Sequence, residues 1–194
     1  MLGTNELMNS RLSGSEEALA GLTIEKLGSV KSPHILIGGL GMGFTLRAAR
    51  EVLPPNARIT IAELVPAVVA WARGAMAPVF GTCLDDPRVT IFEGDVAALI
   101  RQGGARYDAI LLDVDNGPDG LSRPANDSLY DGRGLGSAKA ALKNGGVLSV
   151  WSANPDHAFS RRLQRAGFRV EEAKVKAHRG KSGARHIIWL AVKT

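Results

Sequence analysis

Four short clusters in this 194-residue chain carry residue types that can do chemistry. Gly38-Gly39-Leu40-Gly41-Met42-Gly43 sets glycines at 38, 39, 41 and 43. Such a stretch lets the backbone turn sharply and come close to a ligand, and a helix starting after it offers free N–H groups. Glycine-rich turns also serve packing alone. Glu63 follows about 20 residues later, where an acid can accept both hydroxyl hydrogens of a ribose. The loop has no lysine in a phosphate-cradling arrangement, which disfavours a nucleoside triphosphate, while NAD stays open on these two features. Gly94-Asp95 comes third: Asp95 can cap a helix, accept from an adenine amino group, or do both with its two oxygens. The fourth cluster, Asp113-Val114-Asp115-Asn116-Gly117-Pro118-Asp119-Gly120, gathers three carboxylates in a turn-forming setting. It reads either as a polar connection with Asp and Asn as turn residues or as the source of a site base. For that base Asp113 is the first candidate and Asp115 the second.

Positioning these clusters requires a sheet. Apolar stretches of strand length fall at His34–Gly39, Arg58–Leu64, Arg88–Gly94, Tyr107–Val114, Val147–Ala153, Arg169–Ala177 and Arg185–Val192. The first five are continuous apolar runs more than alternating ones, as in parallel strands buried on both faces. Helix-period stripes lie between them: Val65, Val68, Val69 and Ala72 behind Pro66; Val96, Leu99 and Ile100 behind Asp95; Leu135, Ala138 and Leu142 before Asn144-Gly145-Gly146; and Phe159 with Leu163. Ser13-Gly14-Ser15-Glu16 has capping-box spacing and opens a helix to about Gly28. Five β-then-α units and a closing pair of strands predict a three-layer α/β sandwich. Its seven-stranded sheet is mostly parallel, with the last strand antiparallel. Residues 1–32 form an N-terminal tail and helix, and 33–194 one α/β domain. In such a sheet ligands bind beyond the carboxyl ends of the strands, where all four clusters fall. The loop from Asp115 to Tyr130 is longer than usual connections and reads as a substrate-covering segment.

Composition narrows the class. Apolar residues make up 45% and charged residues 22%, a globular balance. No apolar run is long enough to span a membrane, and Met1–Leu12 lacks a signal-peptide pattern, so a cytoplasmic location is expected. Cys83 is the single cysteine, and the four histidines (His34, His157, His178, His186) are scattered as surface or loop residues, so no metal site is expected. Residues 161–185 carry nine Lys and Arg against Glu171 and Glu172, a local net of +7. That asymmetry fits a solvated helix face and hairpin tip better than a nucleic-acid surface, which is the minor alternative. Oligomeric state stays open, although an apolar sheet edge near the last strand would suit a homodimer.

Ile37-Gly38-Gly39, Thr45-Leu46-Arg47, Asp86-Pro87-Arg88-Val89, Gly94-Asp95, Tyr107–Asp113 and Gly145-Gly146-Val147-Leu148 occur in an order that resembles the class I S-adenosylmethionine-dependent methyltransferase fold. Within that fold the chain is most similar to the spermidine synthases and their aminopropyltransferase relatives, over Pro33 to Val150. The resemblance implies that the backbone at 38–43 holds the amino-acid side of a sulfonium nucleoside. It implies Glu63 on the ribose, Asp95 on the adenine amino group and Asp113 as the base for an attacking amine. Departures from the pattern also inform. The family's N-terminal β-domain has no counterpart in the roughly 32 residues before the first strand, and Ser13–Leu19, with Glu16 and Glu17, is expected to stand in for part of the acceptor gate. An acid in the family's glycine loop is replaced by Leu40-Gly41-Met42, which leaves room for a carboxylated donor. The family's second acid aligns with Asn116, beside Asp115. The expected function is therefore S-adenosylmethionine-dependent methyl transfer to a small nucleophile. Aminopropyl transfer from decarboxylated S-adenosylmethionine is the alternative, and RNA binding or modification through residues 161–185 a further one.

Overall fold

The computed structural model describes residues 13–114, 128–177 and 184–194. Its strands are β1 His34–Gly38, β2 Arg58–Glu63, β3 Val89–Glu93, β4 Tyr107–Leu112, β5 Leu142–Ser152, β6 Phe168–Lys176 and β7 Arg185–Lys193. They form one seven-stranded sheet in the order β3-β2-β1-β4-β5-β7-β6. β1 to β5 pair in parallel, and β7 enters antiparallel between β5 and β6. This is the α/β sandwich that the alternation of runs predicts.

The continuous apolar runs exist because both faces are covered. Ile35 and Ile37 of β1 pack with α1 (Gly14–Leu27), α2 (Phe44–Val52), α3 (Pro66–Arg73) and the short α4 (Ala77–Phe80). Leu36, between them, points into the opposite layer with α5 (Val96–Arg101), α6 (Gly132–Ala141) and α7 (His157–Arg165). Each fully buried leucine or isoleucine contributes roughly 1.5–3 kcal/mol of transfer free energy. α1 shares the first layer: Leu19 and Ala20 are buried, and Thr23 Oγ1 lies 2.7 Å from the buried Ser149 Oγ on β5. Asp86 joins the chain before β3 to α2, bonded to Arg50 Nε at 2.6 Å and Arg88 Nη2 at 2.8 Å. Those guanidinium hydrogen bonds hold its carboxyl well below the usual carboxylate range.

Several local expectations are corrected. Ser13 caps α1 only through its backbone, and no capping box forms; Glu16 turns to Ser15 Oγ instead. β5 starts at Leu142, which pairs with Tyr107, before a register shift brings Val147 opposite Ala109. Lys143 follows that pairing and is anchored on Asp108 at 2.6 Å. Leu129 and Tyr130, at the end of the long loop, are core residues, whereas 115–127 lie outside the described residues. His34 and His186 are not surface or loop residues: each sits in a strand and hydrogen-bonds a hydroxyl, Thr60 and Ser15 respectively. The sheet edge beside the last strand is not apolar, because β7 is interior and the edge strand β6 exposes Arg169, Lys174 and Lys176. Charges on an edge strand oppose pairing with another chain. The described part of the basic segment is thus this edge, the outer face of α7 and Arg185 at the start of β7; residues 178–183 lie outside the described residues. Among the described residues no helix is long and apolar enough to cross a membrane.

Candidate functional site

The strand ends beyond β1–β4 are stitched into one rim. Gly39 N donates to Ala62 O at 2.9 Å, Gly94 N to Glu63 O at 2.8 Å, and Asp113 N to Gly38 O at 3.0 Å. The structure therefore brings Gly38, Gly39, Glu63, Gly94 and Asp113 together, with the glycine loop folded over the ends of β1 and β2. Gly39 has φ 93° and is wedged against β4: a Cβ would stand 2.5 Å from the Asp113 carbonyl oxygen. Gly43 caps α2 with φ 75°, and there a Cβ would meet the Phe80 ring at 2.4 Å, so its lack of a side chain serves packing. Around Gly41 there is open space.

Glu63 does more locally than its sequence position suggests. Its Oε2 accepts from Leu40 N at 2.9 Å and its Oε1 from Val65 N at 2.8 Å, so one buried carboxylate fixes both the glycine loop and the entry to α3. A carboxylate has about four lone-pair sites, and each oxygen keeps one for a further donor. Asp95 divides similarly. Its Oδ1 caps α5 through Ala97 N at 2.8 Å, while among the described residues Oδ2 faces Arg101 at 3.8 Å.

Asp113 is the electrostatic centre of the rim. Thr45, in the first turn of α2, donates to Asp113 Oδ2 at 2.8 Å and lies 3.4 Å from the Glu16 carbonyl oxygen. The starts of α1 and α2 thus meet over the end of β4. Burial, and then the charge of Glu16, push the Asp113 carboxyl up to about 7, against the opposing effect of the Thr45 hydrogen bond. Glu16 is itself raised, by burial first and with a contribution from Glu17. A buried carboxyl raised further by a neighbouring acid is suited to hold a cation or a proton.

A pH dependence follows. Were Asp113 the base expected from the sequence, it would have to be ionised to act, and kcat/KM should rise with pH to a plateau above about 7. A bound cationic acceptor would favour ionised Asp113, so the acidic limb of kcat should lie at lower pH. Steady-state pH profiles check this; coincident limbs would argue against a cationic acceptor beside Asp113.

Asp115 lies outside the described residues, and the structure does not relate it to Asp113. Sequence reasoning missed Thr45 as a partner of Asp113. Its only signal was a hydroxyl in the first turn of the helix after the glycine loop. Among the described residues no group of His, Cys, Asp and Glu is arranged to hold a metal.

Comparison with known proteins adds to this geometry. The family model described as Spermine/spermidine synthase domain matches residues 15–166. The polyamine aminopropyltransferase of Corynebacterium efficiens is 38% identical over 133 residues, 65% of this chain and 23% of that protein. Putrescine N-methyltransferase 4 of Nicotiana tabacum is 36% identical over 132 residues, 64% of this chain and 32% of that one. The match therefore spans well under half the length of these relatives. Among solved structures, spermidine synthase from Thermotoga maritima superposes with TM-score 0.76 at 21% identity, covering 96% of this chain and 62% of that one. Human methyltransferase-like protein 13 in complex with SAH gives 0.66 at 21% identity, covering 91% of this chain and 81% of that one. These structural likenesses show the fold.

Proposed function

The chain belongs to the spermine/spermidine synthase domain family, and from that premise we propose that it transfers an aminopropyl group from decarboxylated S-adenosylmethionine to a small amine. The observation that carries this reading is the placement of Asp113 under the start of α1, where Thr45 donates to its Oδ2 and lies against the Glu16 carbonyl oxygen, and where the Glu16 charge adds to burial in raising its carboxyl. An anionic rim suits an ammonium-bearing acceptor.

The rim residues fit a sulfonium nucleoside. Glu63 retains one acceptor site on each oxygen for the two ribose hydroxyls, and Asp95 Oδ2 is free of the α5 cap for the adenine amino group. Gly38, Gly39, Gly41 and Gly43 shape the loop for the remainder of the donor, and Gly94 orients Asp95. The donor supplies an electrophilic carbon and a neutral thioether leaving group. Asp113 takes the proton from the amine nitrogen as that nitrogen bonds the carbon and the C–S electron pair stays on sulfur. Positioning the two reactants does most of the remaining work. Asp115, outside the described residues, stays the second candidate acid for the acceptor.

Methyl transfer from S-adenosylmethionine itself is the second reading. It is favoured by Leu40-Gly41-Met42, which places no acid against a donor carboxylate, and a putrescine N-methyltransferase is among the relatives. Sequence grounds alone put it first; the family and the 38% relative put aminopropyl transfer ahead. The test is incubation with a linear diamine and each donor in turn, read by mass spectrometry. The mass gain of an aminopropyl group from the decarboxylated donor is the expected result. A methyl gain from S-adenosylmethionine would replace it with the second reading, and no product with either donor would end both.

A further inference from the structure

Ser15 and His186 have no role in the chemistry described so far, although they lead directly to Glu16. Ser15, in the first turn of α1, is buried at 1% exposure. Its Oγ lies 2.9 Å from Glu16 Oε2 on one side and 2.9 Å from His186 Nδ1 on the other. A hydroxyl has a single hydrogen. With that hydrogen given to the Glu16 carboxylate, the proton between ring and hydroxyl belongs to Nδ1, and the chain runs from ring through serine to carboxylate.

Its two ends are well anchored. The His186 ring is held edge-on by Trp151, centroids 4.8 Å apart at 77°. Gly14 N donates to Ala177 O at 3.1 Å, tying the start of α1 to the end of β6 beside β7. Neighbouring residues on a helix do not face each other, so the Ser15–Glu16 bond requires the glutamate to fold back along α1. Repulsion from Glu17 would otherwise let its long side chain turn to solvent. A charge-assisted hydrogen bond from a fixed hydroxyl opposes this.

We propose that Ser15 and His186 are positioning residues that hold the Glu16 carboxylate at the acceptor side of the site and so select acceptors with a second positive charge. The proposal rests on the reading of Asp113 and Glu16 as the amine site. Holding α1 against the sheet is the purely structural role it must be told apart from.

The test compares a linear diamine with a monoamine of equal chain length in wild type, E16Q, S15A, H186A, H186N and the S15A/E16Q double variant. S15A and H186A should each raise KM for the diamine about tenfold, with kcat and the monoamine KM within about twofold. H186N, whose side-chain amide can replace the Nδ1–H donor, should recover most of the loss. S15A should add nothing on the E16Q background, because it acts through Glu16. Equal KM increases for both amines, or effects of S15A and E16Q that multiply, would overturn the proposal while leaving the amine site standing. Absence of turnover with every amine would instead remove the amine-site reading. In that case 15N spectra of the His186 ring decide: an Nδ1–H proton lost in S15A supports the chain, and a ring protonated only on Nε2 overturns it.

Discussion

Replacing Asp113 by asparagine should lower kcat by roughly 10²–10⁴-fold, the usual contribution of a positioned general base. Asparagine is nearly isosteric, and its carbonyl can still accept the Thr45 hydroxyl that now bonds Oδ2 at 2.8 Å. Donor binding, proposed for Glu63, Asp95 and the glycine loop, should therefore change little. The same substitution should raise stability at alkaline pH. An acid whose folded-state carboxyl is lifted to about 7 binds its proton more tightly folded than unfolded. Stability then falls as pH rises from the ordinary carboxylate range to about 7, and the penalty is complete above it. The variant lacks that penalty, so its Tm should exceed wild type at pH 8 and converge with it near pH 4. A domain of this size gains roughly 2–4 °C per kcal/mol relieved. Higher stability with lost turnover is the signature of a charge kept for chemistry. Retained turnover in D113N would remove Asp113 as base, and a lower Tm at pH 8 would mean that its charge is compensated.

How much of this was legible in the sequence depends on how local each cause is. The sheet was legible because Ile35-Leu36-Ile37 and Ala109-Ile110-Leu111-Leu112 can be buried on both faces only as inner parallel strands. The Asp95 cap was legible because donor and acceptor lie two residues apart. The position of Glu63 could be read from its spacing, but its bonds to Leu40 N and Val65 N could not, since they depend on how two backbone turns meet. The β5 register shift escaped for a related reason: Asn144-Gly145-Gly146 signals a stop, and only the pairing of Leu142 with Tyr107 shows that the strand has already begun. Grouping Glu16, Thr45 and Asp113 needed tertiary structure, because residues from three elements meet only once α1 and α2 lie side by side. Ser15 and His186 stand at opposite ends of the chain, and no local pattern links them.

That dependence on meeting turns makes Gly39 a sensitive backbone position of the rim, and Gly39→Ala should cost stability and donor affinity together. Gly39 has φ 93°, a conformation that strains any L side chain. A methyl group there would also stand 2.5 Å from the Asp113 carbonyl oxygen, a backbone atom that cannot rotate away. Relief must come from parting β1 and β4 where Asp113 N bonds Gly38 O, or from twisting the peptide that bonds Ala62 O. Conformational strain of about 1–2 kcal/mol and overpacking of about 1–3 kcal/mol should together destabilise the fold by roughly 2–5 kcal/mol. Gly41→Ala is the natural control, because its Cβ would meet nothing within 4 Å and only the strain from φ 48° remains. Denaturant unfolding should thus show the Gly39 variant losing about 1–3 kcal/mol more than the Gly41 variant, the overpacking that only Gly39 incurs. Calorimetric titration with the donor should show weakening in the Gly39 variant even at temperatures where it is fully folded, because the displaced loop carries Leu40 away from Glu63. Equal losses in the two variants would mean that left-handed backbone strain alone sets the cost, and that the tight approach of the glycine loop to β4 is not what shapes the site.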